Sequence, residues 1–162
     1  MAGLPHQGVV VGVDGSKPSQ VALEWAAEEA LRFNTGLHLL HATDIDWLVA
    51  ASLISRADDH PVTDAILDDA VDQLQRCFPD LRVSAQATTG TAAQDLTCAS
   101  THAREIVLGS HGRSQSRLPL GSVAHAVAMH AACPVVVVRE SGNPEARTGP
   151  VVVGVDGSEL SL

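Results

Sequence analysis

Five short apolar runs alternate with stretches of helical periodicity, and that alternation leaves few folds open to this chain. The first run, Gly8 to Val13, is continuously apolar, as a strand covered on both faces requires. Asp14-Gly15 turns the chain, Ser16 is placed to cap a helix, and Pro18 falls in its first turn. That helix is expected to reach Phe33 with Val21, Ala22, Trp25, Ala26 and Ala30 at helical spacing; Asn34 to Gly36 stops it. Leu37 to Ala42 is the second strand. Thr43 to His60 is a variable stretch in which Trp47 to Ile54 is apolar enough for a short packed helix. A second helix runs from Val62 to Cys77, with Ile66, Ala70, Leu74 and Cys77 on one face, and Pro79 bars its continuation. The third strand, Arg82 to Thr88, sets Val83, Ala85 and Ala87 against Ser84, Gln86 and Thr88, the pattern of a half-exposed edge. Thr91 with Gln94 forms a capping box for a helix to His102. Glu105 to Gly109 is the fourth strand, followed by a loop from Ser110 to Leu120. Gly121-Ser122 opens a helix to Ala132, and Pro134 precedes the fifth strand, Val135 to Arg139.

Short connections and right-handed crossovers make this β/α order an α/β fold with a doubly wound, five-stranded parallel sheet. The half-exposed third strand favours the spatial order 3-2-1-4-5. Strands one and four are then neighbours where the winding reverses, and such sheets bind ligands in the crevice beyond the carboxyl ends of the strands.

Composition narrows the class. Apolar residues make up 45% of the chain and aromatics 2%, so the core is Val, Leu, Ile and Ala. A net charge of −9 argues against nucleic acid and against anchoring to acidic lipid. It leaves room for a phosphate site built from backbone N–H groups. No apolar run reaches transmembrane length, and Met1 to Gly8 lacks the basic and apolar parts of a signal peptide, so the cytoplasm is the expected location. Cys77, Cys98 and Cys133 are too scattered for a disulfide framework and are expected to be buried small residues. The histidines have no metal-ligand spacing; His125 and His130 are five apart, off one helical face.

One repeat divides the chain. Val9 to Ser16 reads VVVGVDGS, and so does Val151 to Ser158. Residues 141–149 between them, SGNPEARTG, have the composition of a linker. The expected organisation is one domain over 1–140, a linker over 141–149, and the opening strand of a second, similar domain over 150–162.

Two segments fall at the switch point: Gly12-Val13-Asp14-Gly15-Ser16 after strand one, and Leu108-Gly109-Ser110-His111-Gly112-Arg113 with Gly121-Ser122-Val123 after strand four. Glycines there let a ligand approach the backbone, and the helix opening at Gly121 offers unpaired N–H groups and a dipole's positive end. Gly15 and Ser16 also serve as turn and cap, Ser122 as a cap, and His111 and His41 read as a loop residue and a packed strand-end residue. A P-loop, a G-x-G-x-x-G dinucleotide fingerprint and a G-x-S-x-G elbow are all missing from the sequence, and no nucleophile–base set stands out.

VVGVDGS, IVLGSHGRS, LGSVAHAV and HAACPVVVV together resemble the universal stress protein family in order and spacing, over about residues 8 to 139. The resemblance implies a Rossmann-like fold of the adenine nucleotide alpha hydrolase-like kind and a site for ATP, with Mg²⁺ on its phosphates. It places Asp14, with Gly12 and Val13, and Ala42 at the adenine end. Ribose and phosphates fall to Gly109, Gly112, Gly121 and Ser122, with Leu108, Arg113 and Val123 alongside. The family's ATP-binding pattern usually has nine residues between the second Gly and the Gly-Ser pair; here Gly112 and Gly121 are separated by the eight residues Arg113 to Leu120. Three functions follow as expectations: an ATP-binding regulatory module of the stress response with at most slow hydrolysis; an interaction module that pairs through strand five, as a homodimer or with a second domain; or an enzyme of the wider hydrolase-like group, for which GVDGS supplies no catalytic motif.

Overall fold

The computed structural model describes residues 8–43, 62–112, 120–139 and 150–158. The expected short helix at Trp47–Ile54, Arg113 and the linker over 141–149 lie outside the described residues.

Five strands form one parallel sheet: β1 (Val9–Gly12), β2 (Leu37–Ala42), β3 (Val83–Thr88), β4 (Glu105–Gly109) and β5 (Val135–Val138), in the order β3-β2-β1-β4-β5. Among the described residues the connecting helices are α1 (Lys17–Arg32), α2 (Val62–Cys77), α3 (Ala92–Ser100) and α4 (Ser122–His130). The strand order is the expected one, and element ends fall within about two residues of the sequence reading.

The unbroken apolar run of β1 is explained by its central position. Val9 and Val11 face α1 and α2, packing with Ala22, Leu23, Ala26, Ala30, Leu67 and Leu74. Val10 faces the other way, into a layer with Ile106, Leu108, Leu96, Ala99 and Val127. With successive side chains on opposite faces and helices over both, each residue of β1 must be apolar. The alanines of α1 let it lie close to the sheet, and Leu23 and Ala27 join the buried stripe beyond the residues picked from spacing.

α1 is bounded as its sequence demands. The Ser16 Oγ accepts from the Ser19 N–H at 3.3 Å, and proline sits in the first turn. At the far end Asn34 adopts φ 52°, and the Asn34 and Thr35 N–H groups return to Leu31 and Ala30, a Schellman closure with Asn in place of Gly.

Three expectations need correction. Thr91 is the N-cap of α3, but its side chain makes no capping bond, so the Thr91–Gln94 box does not form. The Asp95 carboxylate instead accepts from the Thr88 hydroxyl at 2.6 Å, tying the start of α3 to the end of β3. Cys77 and Cys98 are exposed and Cys133 is intermediate. Cys98 lies two residues, about 200° of helix, from the buried Leu96. Cys77 is the last residue of α2, past the buried Leu67-Ala70-Leu74 stripe. On β3, Ala85 and Ala87 are exposed along with Ser84 and Gln86. The strand is an edge as expected, but the described residues cover neither face of its middle.

Two buried polar groups lie away from the carboxyl ends. His38 Nδ1 meets the Ser84 hydroxyl at 2.9 Å while its Nε2 has no partner among the described residues, and burial pushes the imidazole below its ordinary range. Glu105 opens β4 at 8% exposure with Oε1 unpartnered among the described residues. Burial, reinforced by the Glu29 charge, pushes its carboxyl above the ordinary range despite the opposing Arg104 and Arg32.

The second VVVGVDGS copy joins no strand. Val151, Val152, Val153 and Val155 are 65–91% exposed, whereas Val9, Val10, Val11 and Val13 of the first copy are at most 6% exposed. Both copies nevertheless build one turn. Asp14 Oδ1 accepts from the Ser16 N–H at 2.9 Å and Asp156 Oδ1 from the Ser158 N–H at 2.9 Å, with Gly15 at φ 77° and Gly157 at φ 80°. The Asp-Gly-Ser turn is therefore encoded locally, while the strand before it needs a sheet.

Candidate functional site

The crevice forms where two ladders persist and the one between them ends. β1 pairs with β4 only through Val11↔Val107. β1 stays on β2 through Gly12↔Leu40, and the Val13 N–H donates to the Leu40 carbonyl at 3.0 Å. β4 stays on β5 through Gly109↔Val138, and the Ser110 N–H donates to the Val138 carbonyl at 3.0 Å. Beyond Val11 and Val107 the two central strands are thus held to opposite halves of the sheet, and a cavity of about 410 Å³ opens between their exits. That volume lies in the range of about 300–1,000 Å³ usual for small-molecule sites.

Ten of the eleven residues picked from sequence line this cavity: Gly12, Val13, Asp14, Ala42, Leu108, Gly109, Gly112, Gly121, Ser122 and Val123. The eleventh, Arg113, lies outside the described residues. The sequence reading missed Ser19, Thr43 and Ile66, and it gave His41 and His111, which also line the cavity, only structural roles. Helical spacing marks Ile66 as part of the apolar face of α2 but not as a cavity residue, which only the fold makes it.

The four glycines that line the cavity also allow close packing of the protein around it. On Gly109 a Cβ would lie 2.7 Å from the Pro18 carbonyl carbon and 3.0 Å from the Ser19 nitrogen, so this glycine lets the β4 exit rest on the first turn of α1. On Gly12 it would lie 2.6 Å from Leu108 Cδ2, so the bare Cα makes room for Leu108 where the strands part. On Gly112 it would lie 2.7 Å from Asp14 Oδ2, and on Gly121 3.3 Å from the Ser110 oxygen and the His111 Cα. These glycines bring the walls of the cavity together.

The two helix starts at the crevice are treated oppositely. α1 is closed by its own turn. The Asp14 N–H donates to Ser19 Oγ at 3.2 Å, the Ser16 N–H to Asp14 Oδ1, and the Ser19 N–H to Ser16 Oγ. α4 begins after Gly121, which has no side chain to cap it, while the Gly121 N–H is used by the Ser110 carbonyl at 2.8 Å. Ser122, expected as a cap, is instead the first helical residue, and Gly121 is the N-cap. The first-turn N–H groups of Ser122, Val123 and Ala124 have no acceptor within the helix, and all three residues line the cavity. The positive end of the α4 dipole faces the same space.

His41 fixes the opposite wall. It is 6% exposed, and its Nδ1 lies 2.6 Å from the Val13 carbonyl oxygen. A carbonyl can only accept, so Nδ1 carries a proton and the imidazole ties the β2 exit to the β1 exit. Among the described residues no group of three His, Cys, Asp or Glu could hold a metal ion.

A doubly wound parallel sheet with a ligand-sized cavity at its switch point defines an α/β protein of the kind whose ligands bind at the carboxyl ends of the strands. The chain belongs to the universal stress protein family, whose sequence profile matches residues 6–139. It is 34% identical over 167 residues to the universal stress protein Rv2623 of Mycobacterium tuberculosis, an alignment covering 95% of this chain and 55% of that protein. The chain thus spans about half the length of the curated relatives it matches. Among solved structures, the universal stress protein UspA from Lactobacillus plantarum superposes with a TM-score of 0.67 at 24% identity, covering 85% of this chain and all of that one. A universal stress protein in complex with cAMP superposes with a TM-score of 0.61 at 23% identity, covering 85% of this chain and 100% of that one. No helix among the described residues is long and apolar enough to cross a membrane.

Proposed function

We propose that this chain binds an adenine nucleotide, ATP in particular, in the crevice between the β1 and β4 exits and acts as a regulatory module of the stress response in the cytoplasm. The observation that carries the reading is the convergence of the open α4 N-terminus and the parted strands on one cavity of about 410 Å³. In this reading the adenine lies toward Asp14 and Ala42, and the phosphates lie at Gly112, Gly121, Ser122 and Val123; the family resemblance adds Arg113 to the binding residues. The cAMP complex of a structural neighbour supports the class of ligand. Mg²⁺ would ride on the phosphates, since Asp14 is the one carboxylate among the described lining residues. Hydrolysis, in this reading, is slow at most.

A second reading concerns assembly. β5 is made of four valines, all half-buried, and it is the last strand of the sheet among the described residues. We propose that it pairs with a second copy of the chain or with a second domain. The second domain itself is proposed to begin at about residue 150 after a linker over 141–149, supported by the repeated VVVGVDGS and its repeated turn.

Calorimetric titration of the purified chain with MgATP and, separately, with cAMP tests the nucleotide reading. Saturable one-site binding that GTP and UTP do not reproduce is expected. Absence of binding by both adenine nucleotides refutes it.

A further inference from the structure

The charges of this chain are sorted by the end of the sheet. Among the described residues the lysines and arginines are Lys17, Arg32, Arg76, Arg82, Arg104 and Arg139. Arg32 and Arg76 lie in the last turns of α1 and α2, Arg82 precedes β3 and Arg104 precedes β4, so these four stand at the amino ends of the strands, opposite the cavity. The described carboxylates at that end are Glu29, Asp80 and Glu105. Glu29 is held by Arg32 in a two-point contact, and Glu105 is buried. Residues 1–7, which lead into β1 at this end, read MAGLPHQ and contribute no carboxylate side chain. Residues 44–61, 113–119 and 140–149 follow the carboxyl ends of β2, β4 and β5.

Arg104 is shaped to receive an oxyanion. Its guanidinium carbon lies 3.7 Å from the centroid of the Phe33 ring, and that of Arg32 lies 4.4 Å from the same centroid. Phe33 is half-buried at the end of α1, and the Arg104 N–H donates to the Gly8 carbonyl at 2.9 Å, so ring and backbone are both fixed. Arg32 is committed to Glu29. Arg104 is exposed, and its guanidinium has no hydrogen-bond acceptor among the described residues. Stacking fixes the guanidinium plane and leaves its edge donors outward, the geometry that takes a carboxylate on two parallel bonds. Arg82 offers a second point. It is exposed, its side chain has no partner among the described residues, and its carbonyl accepts from the Leu37 N–H at 2.9 Å. In the order β3-β2-β1-β4 the two arginines precede strands three places apart, about 14 Å at roughly 4.8 Å per strand. An extended peptide advances about 3.4 Å per residue, so carboxylates four positions apart, on one face of it, match that span.

We propose that the amino end of the sheet is a docking surface for an acidic segment of a partner protein, with one carboxylate on the Phe33-stacked Arg104 and a second on Arg82. This surface is independent of the nucleotide reading, whose cavity lies at the other end of the strands. The net charge of −9 repels an acidic partner at long range. At physiological ionic strength the Debye length is about 8 Å, so the guanidiniums in direct contact outweigh carboxylates farther off. A nucleic acid, charged at every backbone unit, meets that repulsion along its whole length, whereas a peptide with two carboxylates presents only the two charges the surface receives.

The probe is a capped serine peptide carrying two glutamates four positions apart, titrated into the isotope-labelled chain at about 0.15 M salt and followed by amide NMR shifts. Saturable shifts are expected at Phe33, Gly36, Arg82 and Arg104, with none at Gly112 or Ser122. Arg104→Gln is expected to weaken binding about fivefold, the upper range for an exposed ion pair. Phe33→Leu keeps every charge and removes the stacking platform; a loss of about twofold is expected, with a thermal melt to verify the fold. Arg139→Gln makes the same change in net charge at the other end of the sheet and should stay within about twofold of the parent. A peptide with its two glutamates adjacent should bind more weakly than the spaced one. Absence of saturable shifts at the amino end overturns the proposal, as does an Arg139→Gln loss equal to that of Arg104→Gln. A DNA oligonucleotide that shifts these amides where the peptide does not overturns the choice of partner. None of these outcomes bears on nucleotide binding in the cavity.

Discussion

Replacing Ser122 with proline removes one N–H from the mouth of α4 and asks little else of the fold. Ser122 is the first helical residue, the position where proline is best tolerated because its N–H has no partner in the helix. Gly121 before it has φ −68° and ψ 158°, the extended conformation that a residue preceding proline adopts. The His125 N–H to Gly121 carbonyl bond at 2.9 Å is untouched, and the chain already uses Pro18 in the first turn of α1. Stability should therefore stay level or rise by about 0.4–1 kcal/mol from reduced freedom of the unfolded chain. Ligand binding should not stay level. A hydrogen bond to a charged group is worth about 1.5–3 kcal/mol, and 1.4 kcal/mol is a factor of ten, so Ser122→Pro should weaken MgATP and cAMP by roughly ten- to a hundredfold. Ser122→Ala separates hydroxyl from amide: it keeps the N–H and should lose much less. Calorimetry gives the affinities and a thermal melt verifies the fold. A folded Ser122→Pro chain that binds like the parent would mean that the α4 N-terminus does not hold the anion.

Two further perturbations probe the scaffold. Gly109→Ala places a methyl 2.7 Å from the Pro18 carbonyl carbon, against backbone on the first turn of α1, and should cost about 1–3 kcal/mol, seen as a melting midpoint lower by several degrees; an unchanged midpoint would contradict the packing role given to this glycine. Glu105 has its folded pKa raised above the unfolded value near about 4.3, so its contribution is most favourable at low pH and is lost as pH rises through the folded pKa. Glu105→Gln should therefore raise the melting midpoint at pH 7 and lose that advantage toward pH 4, and a midpoint gain equal at both values would refute the assignment of the penalty to the buried charge.

What the sequence makes legible here follows the range of each interaction. The order of strands could be read because burial on both faces marks β1 as central and alternation marks β3 as an edge, and both are properties of a few adjacent residues. The turn at Asp14-Gly15-Ser16 could be read for the same reason, and its second occurrence at Asp156-Gly157-Ser158 forms without any sheet around it. That Thr91 makes no capping bond could not be read, nor could the Thr88–Asp95 bond, which depends on how β3 meets α3. Ile66 and Ser19 enter the cavity through the placement of α2 and α1, which no local pattern encodes. The exposure of Cys98 is the opposite case. Its position two residues from Leu96 was available in the sequence, and helical geometry outweighs the general tendency of cysteine to be buried.

The glycines at the strand exits also shape the walls of the cavity. Gly109 lets β4 rest on α1, and α1 is thereby closed as an anion site: its N-terminus is occupied by its own turn and backed by the β4 exit. Gly121, next to the Ser110–His111 backbone, starts α4 without a capping side chain and leaves its first N–H groups facing the crevice. The same residue type closes one helix start and opens the other. The first-turn N–H groups of α4 have no acceptor within their own helix and border the cavity, and that is why the amide of Ser122 is the group to remove.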